Sequence, residues 1–414
     1  MPMRPYNHRK DRLAVHRILR EVSWFPYDDT EVIAARDAFT TASRSFVADL
    51  EGSPECLVTT MPGMIKYLQE ELSLCCVTGV CTSRIARKQG LAAKLTAHAV
   101  AQCAADGAEV AGLGVFEQGF YDRLGFGTGV YELTSRFDPA DLIVTMKPRV
   151  PLRITKDDWR DVHDARLRSL ARHGSATVLP PEFTRYRMTR TEKTEKAYGL
   201  GYRDAKGRIT HHFWCLNPEG YAGPLRIFWY SFETYGQFLE LLALLKGLGD
   251  EVRTVIMANP PHVQLQDLIR HPTRSYVARE GAKHETGTAA GAFWQLRIND
   301  LAACLAKTHL GCAQLTFNLK LTDPIRDFLA KDARWRGIGG SYVVTLGPDS
   351  SARRGAKRSL PTLHATVNAF TRMWLGVQPA TTLAATDRLS GDASLLEELD
   401  EALTLPKPHL QWFF

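Results

Sequence analysis

Between Glu71 and Val115 the chain alternates extended and helical character, and that alternation limits the folds open to it. Glu71 to Thr82 is a strand-like run with Leu72, Leu74, Cys76, Val77 and Val80, and Gly79 within it marks a bulge or a close backbone approach. The basic hexapeptide Arg87-Lys88-Gln89-Gly90-Leu91-Ala92 follows. Leu91, Leu95, Ala99 and Cys103 then recur at i, i+4 spacing, which predicts a helix that stops at Asp106-Gly107. Val110 to Val115, rich in glycine and small residues, reads as the next strand. Strand, glycine turn, helix and strand in that order make an α/β unit.

The hexapeptide reads as a phosphate cradle. Gly90 and Ala92 carry no bulky side chain, so the surrounding amides can approach a ligand closely. They open a helix whose first N–H groups lack internal partners and attract anions. Arg84, Arg87 and Lys88 add positive charge, and a pyrophosphate is the expected guest. The rival reading is a basic helix start with a packing glycine. Further on, Phe120-Tyr121-Asp122-Arg123-Leu124-Gly125-Phe126 reads as a turn that presents a tyrosine where a leaving group can be protonated. Together the two segments point to acyl transfer from a thioester. A dinucleotide site of the Rossmann kind is disfavoured, because no GxGxxG follows a strand here.

With 414 residues the chain has room for two or three cores. A composition shift at Met146 to Pro151 reads as a linker, and the polar, glycine-rich stretch Gly281 to Gly291 as a loop or boundary. Further strands are expected at Tyr198 to Asp204, Arg226 to Tyr230, Arg253 to Ala258, Ala313 to Leu321, Tyr342 to Pro348 and Thr362 to Val367. Amphipathic helices are expected over residues 9–23 and 238–248, and an acidic one over 395–403. A composition 44% hydrophobic and 23% charged excludes wholesale disorder. The net charge of +7 is spread out, and its densest cluster, Ala352 to Arg358, reads as a solvated loop, so no nucleic-acid partner is expected. Eight cysteines show no CxxC pair and no zinc-ligand spacing with histidine, and read as reduced core residues of a cytoplasmic protein that holds no metal. Met1 to Asn7 is too polar for a secretory segment, and no apolar run is long enough to span a membrane.

The pattern Arg-x-x-Gly-x-Ala after a bulged strand, followed by Tyr121 and the turn Leu124-Gly125-Phe126, resembles the GNAT superfamily of N-acetyltransferases. Three further features resemble one branch of it, the Eis-type (enhanced intracellular survival) acetyltransferases: the length, the segment Phe293-Trp294-Gln295-Leu296-Arg297-Ile298-Asn299-Asp300-Leu301, and the aromatic Phe414 at the last position. The resemblance implies an α/β (α+β) fold with a GNAT domain over 1–147, a second GNAT-like domain over 148–288 and a sterol-carrier-like domain over 289–414. It implies acetyl-CoA as co-substrate, a primary amine as acceptor (an aminoglycoside, a polyamine or a lysine side chain of a peptide), and a homo-oligomer, trimeric or hexameric.

Carried over residue by residue, the resemblance places acetyl-CoA contacts at Val80, Cys81 and Thr82, at Arg87, Lys88, Gln89, Gly90, Leu91, Ala92 and Ala93, and at Phe116 and Glu117. It makes Tyr121 the general acid and the Phe414 carboxylate the general base. Thr82 and Phe116 depart from the branch, where an apolar residue and a small polar one are common. Each role has a plainer rival: Tyr121 as a packed turn residue, Phe414 as a hydrophobic plug, and Trp214, Trp229 and Tyr230 as core. A polyamine acceptor calls for an acidic pocket, and no acidic run marks one. A binding protein for hydrophobic ligands on a non-catalytic scaffold is the alternative from another class.

Overall fold

The computed structural model describes residues 2–24, 29–220, 223–273 and 281–414. Among these the strands form three sheets of eight, seven and five strands. The fold is mixed α/β, as the sequence leads one to expect.

The first sheet is organised around the long hairpin Ser53–Tyr67 and Glu70–Thr82. Its first arm runs on to Tyr67, because alternate residues stay buried to that end. Leu57 pairs with Cys81 and Thr59 with Thr78, so Val58 alone faces Gly79 and Val80: the bulge predicted at Gly79 is present, with Gly79 at φ +62°. Glu70–Thr82 then pairs in parallel with Val110–Gly114, but only from Leu74–Val110 to Val77–Leu113. Beyond Val77 the first strand runs on to Thr82 with no partner on that side, so the two strands splay.

Helix Leu91–Ala105 covers one face of this sheet, burying Leu91, Leu95, Ala99 and their neighbours. The opposite face packs on the C-terminal region, where Tyr67 stacks on Trp374 with ring centroids 4.3 Å apart and donates its hydroxyl to the Trp374 carbonyl (3.0 Å). The strand Trp294–Ile298 lies inside the first sheet, antiparallel to Val110–Gly114.

The second sheet runs Gly287–Gly291, Glu132–Phe137, Val255–Ala258, Leu225–Ser231, Ile209–Leu216, Tyr198–Arg203 and Leu152–Ile154. The stretch Gly281 to Gly291, expected as a loop, therefore ends in an edge strand; small side chains there hide its pairing from a periodicity argument. Helix Tyr235–Lys246 backs this sheet, and Thr234 and Gln237 close it with a reciprocal cap. The third sheet centres on Leu315–Thr322, which pairs with Gly340–Leu346 on one side and Thr362–Thr366 on the other. Its outer strand Ser351–Arg354 takes up part of the basic cluster expected as a loop. Among the described residues no helix is long and apolar enough to cross a membrane, and all eight cysteines are free.

Candidate active site

The cradle is a turn of unusual backbone. Lys88 has φ +62° and Gly90 φ +76°, and Gly90 is the first cap of helix Leu91–Ala105. A Cβ built on Gly90 would meet nothing within 4 Å, so glycine is needed there for its backbone angle, and the space above it is open. The first helical bond runs from Lys94 N–H to Gly90 O (3.2 Å), leaving the amides of Leu91, Ala92 and Ala93 without a partner inside the helix. Arg87 and Lys88 are exposed, and neither is ion-paired among the described residues. Unpaired amides, two unpaired cations and open space fit a polyphosphate.

A cavity of about 760 Å³ opens from the cradle into the splay. Val80, Cys81 and Thr82 line it from the bulged strand, and Arg87, Lys88, Gly90, Leu91, Ala92 and Ala93 from the turn and helix. Phe116, Glu117 and Tyr121 line it from the far side. Of the residues expected here, Gln89 turns away and donates its amide to the Ile85 carbonyl (3.2 Å), and Phe414 lies outside this lining. Trp24 and Glu21, which the sequence did not single out, border the same cavity. Trp24 meets Phe116 edge to face at 6.3 Å.

Tyr121 is only 7% exposed. Burial, and after it the neighbouring thiols of Cys56 and Cys81 and the Glu117 carboxylate, pushes its phenol well above the ordinary range. It keeps its proton at neutral pH and can donate it. Burial also pushes the Cys81 thiol up to about 12, so it stays protonated and is a poor nucleophile despite lining the cavity.

The C-terminal region holds the tyrosine turn in place. Asn368 donates its side-chain amide to the Asp122 carbonyl (2.6 Å) and to the Phe126 carbonyl (3.0 Å). Gln295 donates to the Asp122 carboxylate (2.7 Å), and Arg297 donates to the Leu124 carbonyl. Gly125, at φ +83°, closes the turn where a Cβ would meet Arg297 Nη1 at 2.7 Å.

The tail approaches the splay from the other side. A Cβ on Gly114 would sit 3.1 Å from the Phe414 main-chain oxygen, and one on Gly112 3.5 Å from its ring. Phe414 thus lies over the strand that has just parted from the bulged one. Upstream, Leu410 O accepts from Ala176 N–H (2.9 Å), and Leu410 N–H donates to Glu132 (3.2 Å). Behind the bulge sits Arg36, within 5.1 and 5.2 Å of the stacked rings of Phe39 and Tyr186, with Nε and Nη2 buried and without a hydrogen-bond partner among the described residues.

A smaller cavity of about 80 Å³ adjoins the tail. Arg166 stacks between Trp412 (3.8 Å) and Trp229 (4.6 Å), and Arg187 lies over Phe228 (4.7 Å). Neither has a carboxylate at ion-pair distance among the described residues, and burial lowers the pKa of both, that of Arg187 to about 10. Ring stacking returns about 0.5–2 kcal/mol, whereas a buried unpaired ion costs several kcal/mol. For Arg166, 8% exposed, the stack alone does not offset the burial; Arg187 is half-buried. Trp229 and Tyr230, expected as plain core, line this cavity, while Trp214 is fully buried. Nothing in the sequence marks Arg166 and Arg187, because they come from separate helices, Trp159–Leu167 and Pro181–Glu195. Among the described residues no cluster suits a metal ion, and His211 and His212 bond separately, to Glu240 and Trp229.

Comparison with known proteins agrees with this architecture. Residues 10–129 match the family described as acetyltransferase (GNAT) domain, and residues 313–411 that described as sterol carrier protein domain. No curated protein matches by sequence. Among solved structures, a conserved Enterococcus faecalis V583 protein described as a probable N-acyltransferase superposes with a TM-score of 0.78 at 17% identity, covering 100% of this chain and 99% of its own. A GCN5-related N-acetyltransferase from Anabaena variabilis gives 0.75 at 13% identity, and Eis1 from Mycobacterium abscessus 0.74 at 16%, each covering 100% of both chains. At these identities the likeness is one of fold, and it runs the full length of the chain.

Proposed function

From the premise that the chain is a GNAT-family acetyltransferase with a C-terminal sterol carrier protein domain, we propose that it transfers an acetyl group from acetyl-CoA directly to a primary amine. The family uses acyl-CoA. When bound, the thioester supplies an activated acyl group; the chain's own residues do the rest. The amides of Leu91, Ala92 and Ala93, with Arg87 and Lys88, would hold the phosphates. Val80 of the bulge lines the cavity, and backbone amides there would meet negative charge developing on the acyl oxygen. Tyr121 would protonate the departing sulfur. Phe414, through a terminal carboxylate, would take the proton from the amine. A protonated Cys81 favours direct transfer over a covalent acyl-enzyme.

The observation that carries this reading is a single cavity lined by both the cradle and Tyr121. A homo-oligomer, trimeric or hexameric, belongs to the same proposal and is read by sedimentation. The test is thiol release when the full chain is mixed with acetyl-CoA and a panel of primary amines. Release that depends on the amine supports the proposal; a chain that neither binds acetyl-CoA nor releases thiol overturns it.

A further inference from the structure

We propose that the acceptor amine carries a carboxylate, held by Arg166 and Arg187, so that the substrate is an amino acid or a peptide with a free C-terminus. This rests on the reading of amine acylation above and narrows it. The small cavity beside the tail is lined by two guanidiniums and, among its described lining residues, by no Asp or Glu. A polycationic amine would find repulsion there; an anion would find the two charges it lacks elsewhere in this wall. The guanidinium fork matches a carboxylate in two parallel hydrogen bonds. The cavity's volume, about 80 Å³, suits a head group of a few heavy atoms. The aromatic walls of Trp229, Trp412 and Phe228 lower the local dielectric and strengthen such a pair. Phe413 also lines it, and Phe414, one residue on, lies against Gly114 at the splay. An anchored carboxylate therefore leaves the amine of the same molecule directed toward the acyl-transfer cavity.

Lysine and cadaverine share a terminal aminomethylene chain and differ by the carboxylate. We expect the full chain, with acetyl-CoA, to show kcat/KM for lysine about tenfold or more above that for cadaverine, expressed mainly in KM. Glycyl-lysine against its C-terminal amide extends the comparison to peptides and separates the two sources. Arg187→Gln should bring the lysine-to-cadaverine ratio close to one, and Arg187→Lys should restore part of it. Arg166→Gln should act alike, but Arg166 also clamps Trp412, so Arg187, whose guanidinium stacks on Phe228 and Phe183, keeps the test sound if the tail is lost. Cadaverine used as well as lysine, a preference for phosphoethanolamine, or a ratio unmoved by Arg187→Gln would overturn the proposal. If cadaverine is acetylated and lysine is not, only this inference falls. If acetyl-CoA is neither bound nor consumed with any amine, the acyl-transfer reading falls with it.

Discussion

Arg297 Nη2 lies 2.8 Å from Asp323 Oδ2, and both side chains are closed to solvent. The same guanidinium donates to Leu124 O in the tyrosine turn. Asp323 in turn accepts from Ile338 N–H (2.9 Å). A buried ion pair from the C-terminal half thus fixes the backbone that carries Tyr121.

Asp323→Asn leaves Arg297 as an uncompensated buried charge. We expect a loss of about 3–5 kcal/mol, read from the urea midpoint, together with lower kcat as the turn loosens. A shift below about 1 kcal/mol would show that the pair is not what holds the turn.

Tyr121→Phe keeps the ring packing and removes the proton. Acetyl-CoA affinity should be unchanged while kcat falls roughly 100-fold or more. Because burial raises the phenol above its ordinary value, the wild-type rate should show no alkaline fall attributable to this acid below about pH 10. Full turnover by the variant would remove the tyrosine from the chemistry.

Gly90→Ala places a methyl group in the open space above the cradle, at a φ of +76°. The backbone strain costs about 1–2 kcal/mol, and KM for acetyl-CoA should rise about tenfold with the amine KM little changed. Equal effects on both substrates would argue against a phosphate site.

Gly114→Ala tests the tail without cutting it. The added methyl would approach the Phe414 oxygen to 3.1 Å and displace it. Activity should drop, as it should when Phe414 is deleted or residues are appended after it, while acetyl-CoA still binds by calorimetry. A fully active Gly114→Ala enzyme that is also indifferent to tail extension would leave Phe414 as packing alone.

Glu240 takes three hydrogen bonds from Arg149 (3.2, 2.8 and 2.9 Å) in the linker expected at Met146 to Pro151. Arg149 holds its carboxyl at about 2, against an ordinary 4.5. The folded value is the lower one, so this stabilisation is present above pH 4.5 and drains away as pH falls toward 2. Glu240→Gln should flatten the dependence of stability on pH across that window, measured by denaturant titration; an unchanged slope would refute the assignment.

Local order was legible in the sequence. The bulge at Gly79, the helix after Gly90 and its stop before Gly107 follow from short-range periodicity and backbone preference, and they stand where expected. The family resemblance rests on that stretch together with the Tyr121 turn, Phe293 to Leu301 and Phe414. What was not legible depends on residues far apart in the chain. Trp294–Ile298 pairs with a strand some 180 positions earlier, a contact that leaves no local trace. Arg166, Arg187 and Trp412 meet only because two helices and the tail converge, and an isolated arginine on a helix looks like any solvated one. The resemblance places Gln89 in the cradle, and its side chain bonds to the Ile85 carbonyl of the preceding turn, a local contact that no motif marks.

The insertion of Trp294–Ile298 into the first sheet has a consequence for biosynthesis. A nascent chain emerging from the ribosome cannot seat the edge of Val110–Gly114 until residue 298 has cleared the exit tunnel. The usual order, in which an N-terminal unit matures before its successors are made, is closed to this protein. The turn that carries Tyr121 gains its anchors late, since Gln295, Arg297 and Asn368 are made long after it.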